Sequence, residues 1–175
     1  MSTHQIHSKK NIQYDLLSQF THKNFYYTPQ LKKIVLNFGI KEINLKTLVL
    51  VMAALEVIST QKPIITKSKK SNVFLKIRQG APVGCKLHLR KKAMHSFFSK
   101  FVSQILPNIK LFEGIKMKNE NSFSFSLYDL LIFPELEIQY DLFQNTPKLD
   151  ISILTTVNSC KESKVLFTGS QFFLK

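Results

Sequence analysis

The sequence has few of the residues that metal sites, disulfides and phosphate-binding loops require. It contains two cysteines, Cys85 and Cys160, and five glycines in 175 residues. The cysteines are too far apart for a zinc motif and too few for a disulfide framework, so we expect a reducing compartment. There is no glycine-rich phosphate loop, and no nucleophile has a recognisable base. These absences predict a protein that is not an enzyme and has no catalytic residues, metal or cofactor.

Long apolar runs are also missing. The longest, residues 48–55, is followed by Glu56 and is far shorter than the roughly 20 residues of a membrane-spanning helix. The first ten residues, MSTHQIHSKK, lack the apolar core of a secretory signal and the arginine-rich pattern of an organelle presequence. We therefore expect no membrane span and, if the protein works in an organelle, synthesis inside that organelle.

Acidic residues are absent from residues 57–112, although twelve of the 25 Lys and Arg residues lie there. This basic segment (residues 57–112) therefore holds most of the formal net charge of +14. A protein that is merely basic would spread its charge more evenly. The concentration of charge predicts a partner rich in phosphate, with nucleic acid first and an anionic membrane surface second.

Charged and apolar residues alternate within the basic segment, which indicates a folded scaffold. Residues 85–90 read CKLHLR, the pattern of a strand with one apolar and one basic face. A short strand is expected at 64–67 and a second basic strand or ribbon at 73–78. The turn QGAPVG follows, and its Gly80, Pro82 and Gly84 allow a tight, projecting loop.

The rest of the chain predicts a mixed fold. An apolar content of 44% can supply one core. Apolar periodicity predicts helices at 11–24, 45–58, 93–106 and from Ser159 to about Gly169, and strands also at 31–39, 122–127 and 149–153. The helix at 45–58 is apolar almost all round, which favours burial on more than one side. We expect an α+β fold with a mostly antiparallel sheet: an arm and docking helix at 1–26 and a single domain at 27–175.

Four stretches of this sequence resemble one known family. They read LNFG at 36–39, QKPIITKSKKS at 61–71, FLKIRQGAPVGCKLHLR at 74–90 and IFPE at 132–135. Their order and spacing are similar to those of the bacterial-type large-subunit ribosomal protein L5, which binds 5S rRNA in the central protuberance. The resemblance implies a structural protein of the large ribosomal subunit without enzymatic activity. It also implies a curved sheet with helices on one face and a concave RNA-binding face.

The resemblance further implies which residues contact RNA. Large-subunit rRNA, and 5S rRNA where the ribosome has one, should be bound by residues of the first-strand turn, the Gln-Lys-Pro segment and the two basic strands: Asn37, Gln61, Lys62, Thr66, Lys67, Lys86, His88 and Arg90. The loop from Lys69 to Pro82 should reach the elbow of P-site tRNA through Lys69, Lys70, Lys76, Arg78, Gln79 and Gly80. On independent grounds, the cationic members suit phosphates, and the neutral Asn37, Gln61 and His88 suit base edges or ribose hydroxyls.

Other partners and a location follow from the same resemblance. Neighbouring ribosomal proteins are expected, including a small-subunit head protein contacted across an intersubunit bridge. The chain has 23 Lys against 2 Arg, which is typical of an A/T-rich genome in an organelle or a reduced bacterium. We therefore expect a ribosome of the mitochondrial matrix, with a plastid or a bacterial cytoplasm as alternatives.

The sequence departs from the family at several glycines. Arg90-Lys91 stands where the family has Arg-Gly, residues 120–123 replace a Gly-Asn-aromatic-Ser segment, and Pro147-Lys148 replaces a glycine. The chain also closes on residues 171–174, QFFL, where the family has Pro-Phe. Altered turns are therefore expected, chiefly in the C-terminal loops that would form the bridge.

Two other classes of protein fit parts of the pattern. A free RNA-binding chaperone or regulator would share the basic strand face but would migrate apart from large subunits. A membrane-surface protein would need a basic face opposite an apolar one on an exposed helix. The best amphipathic helix, residues 93–106, has only Lys100 within it, which disfavours that class.

Overall fold

The computed structural model describes residues 13–20, 28–40, 44–109, 121–157 and 159–169. The described residues contain both helices and strands, as the predicted α+β class requires. In order they are a helical stretch at 13–19 (α1), β1 (Leu31–Gly39), α2 (Leu45–Ser59), β2 (Ile64–Lys67), β3 (Pro82–Leu89), α3 (Lys91–Lys100), a π-turn (Phe101–Ile105), a 3-10 turn (Leu106–Asn108), β4 (Ser122–Leu127), α4 (Pro134–Glu137), α5 (Tyr140–Phe143), β5 (Leu149–Thr155) and α6 (Cys160–Gly169).

The five strands form one open antiparallel sheet in the order β2-β3-β1-β5-β4. This confirms the predicted fold class, while the concavity of the sheet stays a prediction. β2 lies at an edge and has only four residues. Lys67 is its last residue, and Lys62 lies two positions before its first. Short, charged edge strands resist pairing with other chains, so this edge is protected against aggregation.

Close contacts divide the chain into two compact units. The first unit consists of Met1–Ile34, Arg90–Ser124 and Ser152–Lys175, and the second of Val35–Leu89 and Phe125–Ile151. The boundaries fall inside β1, β4 and β5, so each unit contains part of the sheet. The predicted boundary between an arm and a domain, near residue 26, lies outside the described residues.

In the second unit, α2 packs against β3, α4 and α5. The Asn44 side chain accepts a hydrogen bond from the Lys46 N–H (3.3 Å) at its start, and Thr60 ends it in a left-handed conformation. The helix buries one face, which includes Val51 and Leu55, so the predicted burial on more than one side is wrong. On the opposite stripe, Leu45 and Val49 are exposed, because the second unit covers only part of the helix.

In the first unit, α3 buries the apolar face that its periodicity predicts. Met94 and Phe97 are buried, and so are Phe101 and Ile105 beyond the end of the helix. The predicted single helix to residue 106 is wrong after Lys100, where the backbone widens into the π-turn and then tightens into the 3-10 turn around Pro107. Proline has no N–H to donate, so an α-helical ladder cannot continue through it.

The C-terminal elements complete the core of the first unit. The rings of Phe123 on β4 and Phe167 on α6 meet edge to face with centroids 4.2 Å apart, and both are fully buried. At the start of α6, the Glu162 N–H donates to the Ser159 hydroxyl (3.4 Å), which is one of the two hydrogen bonds of a capping box. Val165 is only partly covered.

The N-terminal helix is described only in part. Residues 13–19 are helical, and Leu16 is fully buried while Leu17 is partly exposed. The rest of the predicted helix at 11–24 lies outside the described residues. None of the helices in the described ranges has the length and apolar content of a membrane-spanning helix.

Candidate nucleic-acid interface

The antiparallel ladder between β2 and β3 fixes which side chains share a face. Ile64 pairs with Lys86, and Thr66 pairs with Gly84. Every second residue from Cys85 onward in β3 is buried, and Lys86 and His88 lie between the buried ones. Because successive strand residues point to opposite sides, Thr66, Lys86 and His88 lie together on the side away from the core. The predicted alternation in this strand is confirmed.

Asn37 joins this group from the neighbouring strand β1. Its neighbours in the strand are buried, so Asn37 faces away from the core, as predicted. β1 and β3 approach closely here: a Cβ built on Gly84 would lie 2.1 Å from the Phe38 carbonyl oxygen and 3.2 Å from the Thr66 Oγ1. Only glycine allows this approach. We call Asn37, Thr66, Lys86 and His88 the outer face.

Gln61 and Lys62 lead from α2 into β2. Both are exposed, and the Gln61 N–H donates to the Ser59 hydroxyl (3.3 Å), which fixes the backbone as the helix ends. Lys62 precedes the first residue of β2 by two positions. Because the ladder is antiparallel, this brings Lys62 toward the end of β3 that carries His88. We call Gln61, Lys62 and Pro63 the entry segment; it and the outer face therefore lie side by side in the second unit.

Within the described ranges, no neighbouring acid neutralises the positive charge of this region. Among the described residues, no carboxylate forms an ion pair with Lys62, Lys67 or Lys86. The ion pair between Lys148 and Asp150 (3.7 Å) involves none of them. An uncompensated cationic face raises the local concentration of anions and favours a phosphate-bearing partner.

Between β2 and β3 lies a basic loop (residues 68–81) that is held by its own backbone. The Ser68 N–H donates to the Ala81 carbonyl and the Gly80 N–H to the Ser68 carbonyl, each at 2.9 Å. Further out, Asn72 and Ile77 exchange two backbone hydrogen bonds of 2.8 and 2.9 Å. Gly80 has a φ of 82°, which glycine adopts without strain. The loop therefore has a defined shape.

The prediction of a strand at residues 73–78 is wrong. Residues 73–76 form a tight turn closed by the bridge from Asn72 to Ile77, and Lys76 has a left-handed φ of 52°. Residues 73–75 are three successive apolar residues, so no single strand face could bury them all. This run is visible in the sequence and argues against a strand. Pro82 and Gly84, expected in the turn, instead lie in β3. The predicted cations of the loop are all exposed: Lys69, Lys70, Lys76 and Arg78.

Sequence reasoning also missed the tip of this loop. Val73, Phe74 and Leu75 are 88%, 98% and 58% exposed. We call residues 73–75 the apolar tip. It lies between two pairs of cations in the sequence, so the loop offers an apolar surface as well as charge.

Arg90 follows β3 and begins the first unit's middle segment. It is exposed, its backbone is still extended (φ −139°, ψ 162°), and its carbonyl accepts a hydrogen bond from the Met94 N–H (3.4 Å). Lys91, at the position of the family's glycine, has a left-handed φ of 50°. The turn expected at a glycine is therefore made here with a lysine.

The region offers binding groups and no reactive centre within the described residues. No group of three or more potential metal ligands occurs in them. Cys85 is fully buried beneath the outer face, and desolvation raises the pKa of its thiol above the ordinary value of 9.0. A thiol that stays protonated at neutral pH is a weak nucleophile, so its role is packing.

The open sheet, its exposed cations and the structured basic loop define an α+β protein of the RNA-binding class. Residues 24–78 match the family model for ribosomal protein L5, and residues 82–173 match the model for the C-terminus of the same ribosomal family. The chain belongs to the ribosomal protein L5 family. It is thus a structural, non-enzymatic protein of the large ribosomal subunit, with rRNA and ribosomal proteins as partners.

Individual relatives align with almost the whole chain. The large ribosomal subunit protein uL5m of Reclinomonas americana is 36% identical over 170 residues, covering 94% of this chain and 93% of its own. The uL5 protein of Blochmanniella floridana is 37% identical over 172 residues, covering 95% and 90%. That of Geotalea uraniireducens is 40% identical over 156 residues, covering 86% of each chain. The resemblance to the family and the expectation of a non-enzymatic protein are confirmed.

Proposed function

We propose that the outer face and the entry segment bind 5S rRNA in the central protuberance of the large subunit. The observation that carries the proposal is the sharing of one strand face by cationic and neutral hydrogen-bonding side chains, with no described carboxylate paired to its lysines. Lysines suit phosphates, and amide or imidazole groups suit base edges and ribose hydroxyls of irregular RNA. The proposed contact residues are Asn37, Gln61, Lys62, Thr66, Lys67, Lys86, His88 and Arg90.

Binding of the full chain to a 5S rRNA transcript tests this assignment. A variant with Lys62, Lys86 and His88 all changed to Ala should bind more weakly, and the salt dependence of log Kd should fall by about 1.5, since each lost phosphate contact contributes roughly 0.7 to 0.9. The matched control changes the exposed Lys161 and Lys164 of α6 to Ala and so removes the same formal charge elsewhere. If both variants bind the transcript equally weakly, the loss of binding comes from net charge alone, and the assignment of the site to these residues is wrong.

We further propose that the basic loop contacts the elbow of P-site tRNA. Its backbone hydrogen bonds hold four exposed cations on one projecting segment. Gln79 is exposed beside the turn at Gly80, where it could reach the same RNA. The contacts would therefore come from Lys69, Lys70, Lys76, Arg78, Gln79 and Gly80.

Ribosome profiles and tRNA binding separate this role from rRNA anchoring. Changing the four loop cations to Ala should leave large-subunit assembly intact, because these side chains lie outside the outer face, and should weaken P-site tRNA binding. Loss of large subunits from a sucrose gradient would instead make the loop an rRNA anchor. If the unchanged chain migrates apart from large subunits in the gradient, it acts as a free RNA-binding protein instead.

The remaining contacts are proposed on the family relationship alone. The chain would touch neighbouring ribosomal proteins and, across an intersubunit bridge, a protein of the small-subunit head. Chemical crosslinking of whole ribosomes, followed by peptide identification, should yield pairs between lysines of the C-terminal loops, such as the exposed Lys148, and such a protein. Crosslinks from these residues only to large-subunit components would contradict the bridge.

For location, we propose a mitochondrial ribosome. A mitochondrial uL5m is among the relatives that align with nearly the full chain, and the strong preference for Lys over Arg fits an A/T-rich organelle genome. Antibody detection of the chain in purified mitochondria, plastids and cytosol would test this. Recovery in plastid or cytosolic ribosomes instead would overturn the assignment without affecting the RNA contacts.

A further inference from the structure

The apolar tip is the most exposed group of adjacent apolar side chains among the described residues. Single exposed apolar residues are common on proteins, but three in succession at the end of a projecting loop indicate a surface that a partner covers. Phe74 is 98% exposed, and Val73 is 88% exposed. The ring therefore has no packing role within the described part of the chain.

The backbone of the tip is prepared for binding. The Asn72 side-chain oxygen accepts hydrogen bonds from the N–H groups of Phe74 (3.0 Å) and Leu75 (3.4 Å), and the Lys76 N–H donates to the Val73 carbonyl (3.1 Å). A turn that is already ordered loses less conformational entropy on binding than a flexible one. The aromatic ring is thus presented at a fixed place.

Charge identifies the kind of partner. Cations flank the tip on both sides, at Lys69 and Lys70 before it and at Lys76 and Arg78 after it, and no acidic residue occurs between residues 57 and 112. A partner that matches both features must be polyanionic and must also expose flat apolar surface. Single-stranded or looped RNA has both, because unstacked bases offer their faces beside phosphates.

We propose that Phe74, supported by the rest of the apolar tip, packs on an unstacked nucleobase of RNA while the flanking cations hold the adjacent phosphates. The inference rests on the proposed tRNA contact of the basic loop and specifies its chemistry: a stacking contact that does not depend on salt, beside ionic contacts that do.

Two variants separate these contributions when the full chain is titrated with a tRNA transcript at several salt concentrations. Phe74→Ala should bind about tenfold more weakly at every salt concentration, since stacking on one base has about that worth. Its salt slope should equal that of the parent chain. Lys69→Ala with Lys70→Ala should lower the slope by about 1.5. Because these side chains are exposed, neither variant should unfold.

Fluorescence provides a direct readout, since the chain contains no tryptophan. Phe74→Trp should be quenched on adding tRNA and not on adding a long RNA duplex at equal phosphate concentration, in which nearly all bases are stacked. Tyr128→Trp, at a position 80% exposed on another segment, is the control and should respond to neither RNA.

The outcomes distinguish failure of the inference from failure of the proposed tRNA contact. If the lysine variant binds more weakly but Phe74→Ala binds normally, only the stacking is overturned. If neither change affects tRNA binding, the proposed loop contact fails as well. If Phe74→Ala binds tRNA normally but fails to enter large subunits, the tip is needed for assembly and its stacking on tRNA is wrong.

Discussion

Replacing Gly84 by Ala should destabilise the second unit by about 3 kcal/mol. The new Cβ would lie 2.1 Å from the Phe38 carbonyl oxygen, whereas non-bonded atoms of this kind rest roughly 3.5 Å apart. The obstacle is backbone, so it cannot rotate away, and β1 and β3 must separate by about 1 Å. Overpacking of this kind costs about 1 to 3 kcal/mol, and weakening the hydrogen bond from the Ile40 N–H to the Val83 carbonyl (2.9 Å) adds about 1.

Thermal unfolding followed by circular dichroism measures this cost. For a chain of this size, 3 kcal/mol lowers Tm by roughly 6 to 12 °C. Gly39→Ala is the matched control, because nothing lies within 4 Å of a Cβ added there and the same methyl group is introduced in the neighbouring strand. If the two variants melt within about 1 °C of each other, the close approach of β1 and β3 is not real, and the grouping of Asn37 with Lys86 loses its basis.

Three further changes test other parts of the fold. Lys91→Gly should raise the free energy of unfolding by about 1 kcal/mol by relieving a left-handed lysine, whereas Lys92→Gly in the same helix should lower it by about 1, both measured by urea unfolding. Phe167→Ala should cost about 3 to 5 kcal/mol in the same assay, because it removes a fully buried ring. In a Cys160→Ser background, Cys85 should react with a thiol reagent only at the rate of opening. Reaction as fast as that of the unfolded chain would contradict the burial of this thiol. Since burial raises the pKa of Cys85, the stability gained by keeping the thiol protonated is complete below pH 9.0 and is lost as the pH rises beyond it.

The sequence predicted the strands well where one face is buried. In β3, apolar and basic residues alternate, and the same alternation appears in the burial of Cys85, Leu87 and Leu89. Strand periodicity depends on local geometry, so it can be read from neighbours in the chain. The rRNA candidates on these strands lie together because β1 is beside β3 in the sheet. Local sequence patterns do not specify this strand order.

The errors have physical reasons in long-range packing. α2 has apolar residues on all sides, but how many neighbours cover it depends on distant elements, and Leu45 and Val49 remain exposed. The turn at residues 73–76 requires a left-handed Lys76, which is uncommon for a residue with a side chain. Because such a conformation could not be expected at a lysine, the segment was predicted as a strand and not as a turn. The short helices α4 and α5 were not predicted, because they have too few residues for a helical period to appear.

A density map of the purified large subunit with tRNA in the P site tests the central claim most directly. We expect RNA within hydrogen-bonding distance of Lys86 and His88, with 5S rRNA as the RNA at this face. The basic loop should lie at the tRNA elbow with the Phe74 ring against a base. If protein or solvent covers Lys86 and His88 instead, the assignment of this strand face to rRNA is wrong.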